Sequence, residues 1–443
     1  MTKTVTFRGG VHPPDNKKHS RVLKIEDFPI PERVYLPLSQ HIGAPSTPIV
    51  APDDFVTTGQ RIADPGGVVS VPLHSSVSGT VEAITPFLHP SGTMVDTIII
   101  KSDGNDTMHP EIRGHADIAE LSPEYIVEIV RDAGIVGMGG AAFPTHIKLS
   151  PPPMVDVEYC IINGAECEPF LTSDHRVMLE TPEDVVYGCR AILKALGARH
   201  GFIAIEENKH DAIETFEAYL RHQSDISVVP MKTKYPQGAE KQLIKSVLGC
   251  EVPPGKLPMD MGVVVHNIDT SCAVARAIYN GTPLISRIVT VGGGAMNYFK
   301  NYRVRIGTLI KDIIEYAGGF DITPEKLIIG GPMMGIAQHS QAVPIIKGTG
   351  AVLALSKKDI STTRGTSCIR CGRCVSACPV RLQPLKLMAA SRQNDLARCE
   401  KLNISDCMEC GSCSYICPAK EHPVGHIRVA KMRISAQSRE DNN

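Results

Sequence analysis

The chain has 443 residues, with 46 Lys and Arg against 47 Asp and Glu, for a net charge of −1. That length allows several domains, and the balanced charge excludes the basic footprint of a nucleic-acid binder. No apolar run approaches the ~20 residues that span a bilayer, and the first seven residues hold no hydrophobic leader, so no direct transmembrane segment is expected.

Residues 1–28 form a polar segment with one distinctive stretch, Phe7-Arg8-Gly9-Gly10-Val11-His12-Pro13-Pro14. Two glycines and then two prolines predict a rigid bend rather than an element. His12 reads there as a hydrogen-bonding turn residue rather than a ligand. Over residues 29–105 short strands are expected at 34–38, 47–50, 60–63, 68–71, 79–84 and 97–101, separated by turn signals. Residues 52–60 and 72–81 resemble the two halves of a lipoyl- or biotinyl-type half-barrel, a barrel-sandwich hybrid. Its tip is His74-Ser75-Ser76, without the modified lysine of carrier domains. This part is therefore expected to be structural or partner-docking, not a swinging arm.

Residues 120–285 alternate β-branched apolar runs (157–162, 201–205, 226–229, 262–266) with helical periodicity (181–196, 208–221, 238–248, 271–280). Such alternation predicts a largely parallel sheet covered on both faces, with ligands at the carboxyl ends of its strands. Ahead of the first strand runs Gly137-Met138-Gly139-Gly140-Ala141-Ala142-Phe143-Pro144-Thr145-His146-Ile147-Lys148. Closely set glycines let backbone amides approach a phosphate or a flat ring, and Lys148 adds a point charge. Three further loops belong to the same sheet: Asn163-Gly164-Ala165-Glu166-Cys167-Glu168-Pro169, Gly238-Ala239-Glu240 and His266-Asn267-Ile268-Asp269-Thr270.

Residues 286–350 predict a β-grasp module, with strands 287–291 and 326–329 flanking a helix over 307–317. Residues 351–366 read as a linker bearing Lys357, Lys358 and Arg364. Residues 367–425 carry Cys368-x2-Cys371-x2-Cys374-x3-Cys378-Pro379 and then Cys407-x2-Cys410-x2-Cys413-x3-Cys417-Pro418. This is the bacterial ferredoxin pattern written twice. In that pattern the fourth cysteine of each run ligates the other cluster. Cys368, Cys371, Cys374 and Cys417 are assigned to one [4Fe–4S] cluster, and Cys407, Cys410, Cys413 and Cys378 to the second. Structural zinc is the rival, but it explains neither the third cysteine nor the repeated Cys-Pro. Thiolate ligands favour the reducing cytoplasm. Of the remaining cysteines, all but Cys167 read as buried apolar thiols. Residues 426–443 are a basic helix followed by a polar, frayed tail.

The Gly-x-Gly-Gly-x-x-Phe-Pro-Thr-x-x-Lys and Asn-x-x-Glu-x-Glu-Pro patterns are similar to the FMN- and NADH-binding subunit of respiratory complex I. The whole layout, from Phe7–Pro14 to the paired ferredoxin motifs, resembles the RnfC subunits of the Rnf ion-translocating ferredoxin:NAD+ oxidoreductase complexes. The fold this implies is multidomain α/β: barrel-sandwich hybrid, Rossmann-like FMN/NADH domain, β-grasp (SLBB-like) module and a C-terminal 2×[4Fe–4S] ferredoxin-like domain. The resemblance places Gly137, Gly139, Gly140, Lys148, Asn163, Glu166 and Asn267 around FMN. It puts Glu168 near the nicotinamide of NAD(H), Phe143 near a ring face, and Gly238 and Glu240 near flavin or dinucleotide. Ala165 and His266 depart from the complex I pattern. Hydride exchange between NAD(H) and FMN is then expected, with two [4Fe–4S] clusters relaying single electrons to or from partners. Those partners are the membrane subunits and the ferredoxin-like B subunit, at the cytoplasmic face of the bacterial membrane. Arg370, Arg373 and Arg381 flank the first motif and Glu409 the second, which predicts a higher potential for the first cluster. A cobalamin reductase, a soluble diaphorase subunit and a non-enzymatic electron-wiring scaffold are the alternatives.

Overall fold

The computed structural model describes residues 4–361, 363 and 365–440. Arg364 and the last three residues of the expected tail lie outside the described residues. Near the N-terminus, Arg33–Pro37, Met94–Ser102, Gly79–Leu88 and Phe55–Val56 form an antiparallel sheet. A three-stranded sheet of Thr47–Pro48, Arg61–Asp64 and Leu73–His74 shares its core, through Val34, Leu36, Ile62, Leu73, Ile98 and Ile100. This is the expected barrel-sandwich. The strand expected at 68–71 is absent; the ladder begins at Leu73 instead.

The central sheet is wholly parallel, in the order Ile226–Met231, His200–Glu206, Tyr159–Gly164, Val263–Asn267. Alternation along Tyr159–Gly164 explains the two covered faces. Cys160 and Ile162 join the core under the helices Pro182–Leu196 and Ile268–Tyr279, while Ile161 joins Leu243 and Ile244 of Glu240–Leu248 on the other side.

The third sheet has six strands, ordered Glu26–Asp27, Lys300–Arg305, Ser286–Gly292, Ala351–Leu355, Lys326–Ile329, Ile336–Gln338, packed on the helix Ile310–Tyr316. Two sequence expectations are corrected here. Residues 351–355 are not linker but a fully buried inner strand. The N-terminal segment is not only a bend. Val5 and Val11 bridge to Met231 and Tyr235, and Glu26–Asp27 is an edge strand of the third sheet.

Lys347 joins the three units. Its backbone N–H donates to Gln40, and its fully buried ammonium donates to the carbonyls of Pro72 (3.0 Å) and Gly134 (2.7 Å). Burial lowers its pKa to about 7, against ~10.4 in an unfolded chain. Between those values the native state binds fewer protons than the unfolded state, so this group makes stability rise with pH. The wild-type chain is therefore expected to gain stability relative to Lys347→Met as pH rises from about 7 to about 10. Chemical denaturation of both across that window checks this; a pH-independent difference would contradict it.

Candidate flavin and iron–sulfur sites

A crevice opens where the strand order reverses. Tyr159–Gly164 and Val263–Asn267 are neighbours, but the chain leaves the first towards one edge of the sheet and returns to form the other edge, so their trailing loops part. The glycine loop closes on itself through Gly137 N–H to Phe143 O (2.8 Å) and Ala142 N–H to Gly137 O (3.1 Å). Gly139 and Gly140 stay exposed, and half-buried Phe143 follows them. A side chain on Gly139 would stand 3.5 Å from Asn267. Gly140 has φ +110° with nothing within 4 Å of where its Cβ would be, so its backbone is bare towards open space.

The other loops converge on this one. Asn267 caps the helix Ile268–Tyr279, accepting from Asp269 N–H at 2.9 Å and donating to Asp174 at 2.7 Å. Asn163 accepts from Ala165 N–H (3.1 Å) and donates to Gly238 O (2.9 Å). Lys148 donates to Glu240 (2.8 Å) and to Val265 O (2.9 Å). Glu166 accepts from Asp174 N–H at 2.8 Å, with the buried Lys17 ammonium 3.7 Å from its other oxygen. Burial, with Glu166 and Asp269 nearby, pushes Asp174 up to about 7. Glu168 does not join them. It accepts from Met333 and Met334 N–H, 3.0 Å each, in a turn of the β-grasp sheet, and burial raises it to about 7.

These residues suit an anionic, hydrogen-bonding ligand such as FMN: bare amides, one ammonium and two amide side chains. Two buried atoms at the same strand ends, His266 Nε2 and Glu166 Oε2, have no hydrogen-bond partner. Burial and the Lys148 charge hold His266 well below its usual range, so the imidazole is neutral.

Sequence reading missed Arg287. It is buried and donates to Asp269 (2.8 Å), Met138 O (3.0 Å) and Thr349 O (3.2 Å), tying the glycine loop to the capped helix and the β-grasp sheet. The available signal was a single charge in the strand Ser286–Gly292.

In the C-terminal region Cys378, Cys407, Cys410 and Cys413 line one apolar cavity with Pro379, Leu382, Val424 and Ile427. Cys378 comes from the first motif and the other three from the second. Burial pushes Cys413 up to about 12 and Cys407 up to about 11, so both thiols are neutral until a metal displaces the proton. Cys368 and Cys371 are exposed, and Cys374 and Cys417 are half-buried.

Four families match in chain order: the RnfC barrel sandwich hybrid domain over residues 5–105, the Nuo51 FMN-binding domain over 130–276, the SLBB domain over 288–337 and the 4Fe-4S dicluster domain over 367–420. The C subunit of the Na(+)-translocating ferredoxin:NAD(+) oxidoreductase complex of Acetobacterium woodii is 46% identical over 437 residues, 99% of each chain. The chain belongs to the RnfC family. The proton-translocating counterpart of Clostridium ljungdahlii is 47% identical over 88% of this chain and 85% of its own. The C subunit of the ion-translocating oxidoreductase complex of Rhodobacter capsulatus is 44% identical over 91% and 78%. Among the described residues of this RnfC-family chain, no helix is long and apolar enough to cross a membrane.

The RnfC-type N-terminal stretch and the crevice both touch the four-cysteine cavity. Tyr235 O–H donates to Cys410 O at 2.7 Å, and Gly10 N–H donates to Ala377 O at 2.9 Å. Val11, Tyr235, Ala377 and Cys410 form one buried group, with Cys167, Met333 and Met408 packed on it. Cys167, the one cysteine set apart in the sequence, thus stands between crevice and cavity. Its thiol accepts from Gly238 N–H at 3.5 Å, and burial raises it to about 12. Glu409 is not an isolated charge. It pairs with Arg428 (3.0 Å) and Lys431 (2.8 Å) of the helix Pro423–Glu440, and Lys431 also donates to Cys407 O. The charge contrast expected between the two motifs is therefore small, and the contrast that remains is burial.

Proposed function

We propose that the chain is the NAD(H)-reactive subunit of a membrane-bound, ion-translocating ferredoxin:NAD+ oxidoreductase. It would sit peripherally on the cytoplasmic face, beside the membrane subunits and the ferredoxin-like B subunit. The observation that carries this reading is the shared wall. The loops of the crevice and the four-cysteine cavity meet through Cys167 and Tyr235, with hydrogen bonds from Tyr235 to Cys410 O and from Gln242 to Pro379 O across the joint.

In this reading Gly137, Gly139, Gly140, Lys148, Asn163, Glu166 and Asn267 hold FMN, while Phe143 borders a ring face and Gly238 and Glu240 border the flavin or the dinucleotide. Glu168 serves the joint with the β-grasp turn, where its two accepted hydrogen bonds hold it. Cys378, Cys407, Cys410 and Cys413 hold one [4Fe–4S] cluster, and Cys368, Cys371, Cys374 and Cys417 hold the other. Bound FMN supplies the exchange between two-electron hydride and one-electron chemistry, and the four-iron centres supply one-electron carriage. The protein's own part is positional. Lys148 and the bare amides of Gly139 and Gly140 offset a phosphate charge. Asn163 and Asn267 offer amide groups from the two parted loops, and the buried group around Tyr235 keeps water out of the joint. No side-chain acid or base is required.

The anaerobically purified chain is expected to show a flavin absorbance band that bleaches with NADH and to pass electrons from NADH to a one-electron dye. A chain with full iron but no flavin band would instead be an electron-wiring scaffold.

A further inference from the structure

The two cysteine sets differ in what covers them. In the set containing Cys378, Cys378, Cys410 and Cys413 are buried and Cys407 is half-buried, with Cys410 packed beside Val11 and Tyr235. The set containing Cys368 opens outward, with Cys368, Cys371, Arg370 and Arg373 exposed and Ile369 65% exposed. The motif repeat makes the comparison direct, because Ile369-Arg370 occupies the place of Met408-Glu409. Both second residues adopt the same left-handed backbone, φ 55° at Arg370 and 59° at Glu409. In the second copy this loop position is already an interface. Met408 packs on the group that joins the flavin domain, and Glu409 is satisfied by Arg428 and Lys431. In the first copy the apolar residue is bare. Among the described residues neither Arg370 nor Arg373 has a carboxylate partner.

We infer that residues 367–373 form the docking surface for an acidic protein carrying a one-electron centre. The inference rests on the redox reading above. An apolar residue beside two guanidiniums without carboxylate partners suits a transient interface, in which the apolar centre excludes water and complementary charge sets encounter rate and orientation. Carboxylates on the partner supply the charge that Arg370 and Arg373 lack within this chain, at distances inside the ~8 Å screening length of physiological salt. Glutamate at position 370 has a precedent in Glu409, so charge reversal is compatible with the loop.

The test uses the full chain, purified anaerobically with its iron content measured, and an acidic two-[4Fe–4S] ferredoxin as the probe. Wild type is expected to bind the ferredoxin with an affinity that falls steeply with salt. Arg370→Glu/Arg373→Glu is expected to bind about tenfold or more weaker at low salt and to lose most of the salt dependence. Its iron content and its NADH-dependent dye reduction should be unchanged. If charge reversal blocks cluster assembly, Arg370→Gln/Arg373→Gln is read in its place, with a smaller loss in the same direction. Equal binding by wild type and variant at full iron content overturns the docking inference. So does a loss confined to anionic lipid vesicles or to self-association. Wild type lacking iron would instead overturn the redox reading.

Discussion

Cys378→Ser is expected to remove the same four-iron centre as Cys407→Ser and to leave the other centre in place. By position Cys378 belongs with Cys368, Cys371 and Cys374, and a reading that kept each motif to itself would give the opposite result. The structure places its thiol in one cavity with Cys407, Cys410 and Cys413. Serine offers a neutral hydroxyl where the site needs a thiolate, so iron should fall from about eight to about four per chain. The residual EPR signals of Cys378→Ser and Cys407→Ser should coincide, and both should differ from that of Cys371→Ser. Coincidence of Cys378→Ser with Cys371→Ser would contradict the assignment. The effect should reach beyond the cluster, because Ala377 and Cys410 form the joint with the flavin domain.

Arg287→Met should have the largest effect among substitutions outside the cysteines. It leaves the buried carboxylate of Asp269 without its counter-charge and the carbonyls of Met138 and Thr349 without a donor. Breaking a buried ion pair from one side costs about 3–5 kcal/mol. Because Met138 lies inside the glycine loop, the flavin should be lost as well. The double variant Arg287→Met/Asp269→Asn removes the stranded charge and should recover part of the stability but not the loop contact. Chemical denaturation together with flavin content checks both parts. A cost below about 1 kcal/mol would place the pair among those that contribute little.

What was legible in the sequence divides along physical lines. The parallel sheet was readable because each strand is a short apolar run between helical patterns, and its strands appear within a few residues of the expected bounds. The paired cysteine motif was readable because cluster geometry fixes its spacing, and Cys378 does share a cavity with the second run. Two elements were not readable, each for a different reason. The strand expected at 68–71 fails because the Val71 N–H is taken by the His41 ring at 3.3 Å, not by a neighbouring strand. Ala351–Leu355 was passed over as linker because glycines precede it and charges follow it. Its partners, Ser286–Gly292 and Lys326–Ile329, lie far back in the chain. Pairing of that range leaves no local trace.

Charge partners were the hardest to read. Glu409 suggested an acidic second cluster until the last helix supplied Arg428 and Lys431. The same order of potentials is still expected, from a different cause. Burial disfavours the more highly charged reduced form of a thiolate-ligated cluster, so the enclosed centre should have the lower potential. Glu168 shows the same at the crevice: the resemblance set it near the nicotinamide, and its carboxylate accepts from Met333 and Met334 N–H of the β-grasp turn.

Iron, acid-labile sulfide and FMN, quantified in the anaerobically purified full chain, test most directly whether one chain joins a flavin site to two four-iron centres. About eight iron, about eight sulfide and about one FMN per chain are expected. A chain holding zinc in place of iron, only about four iron, or no FMN would contradict that union of sites.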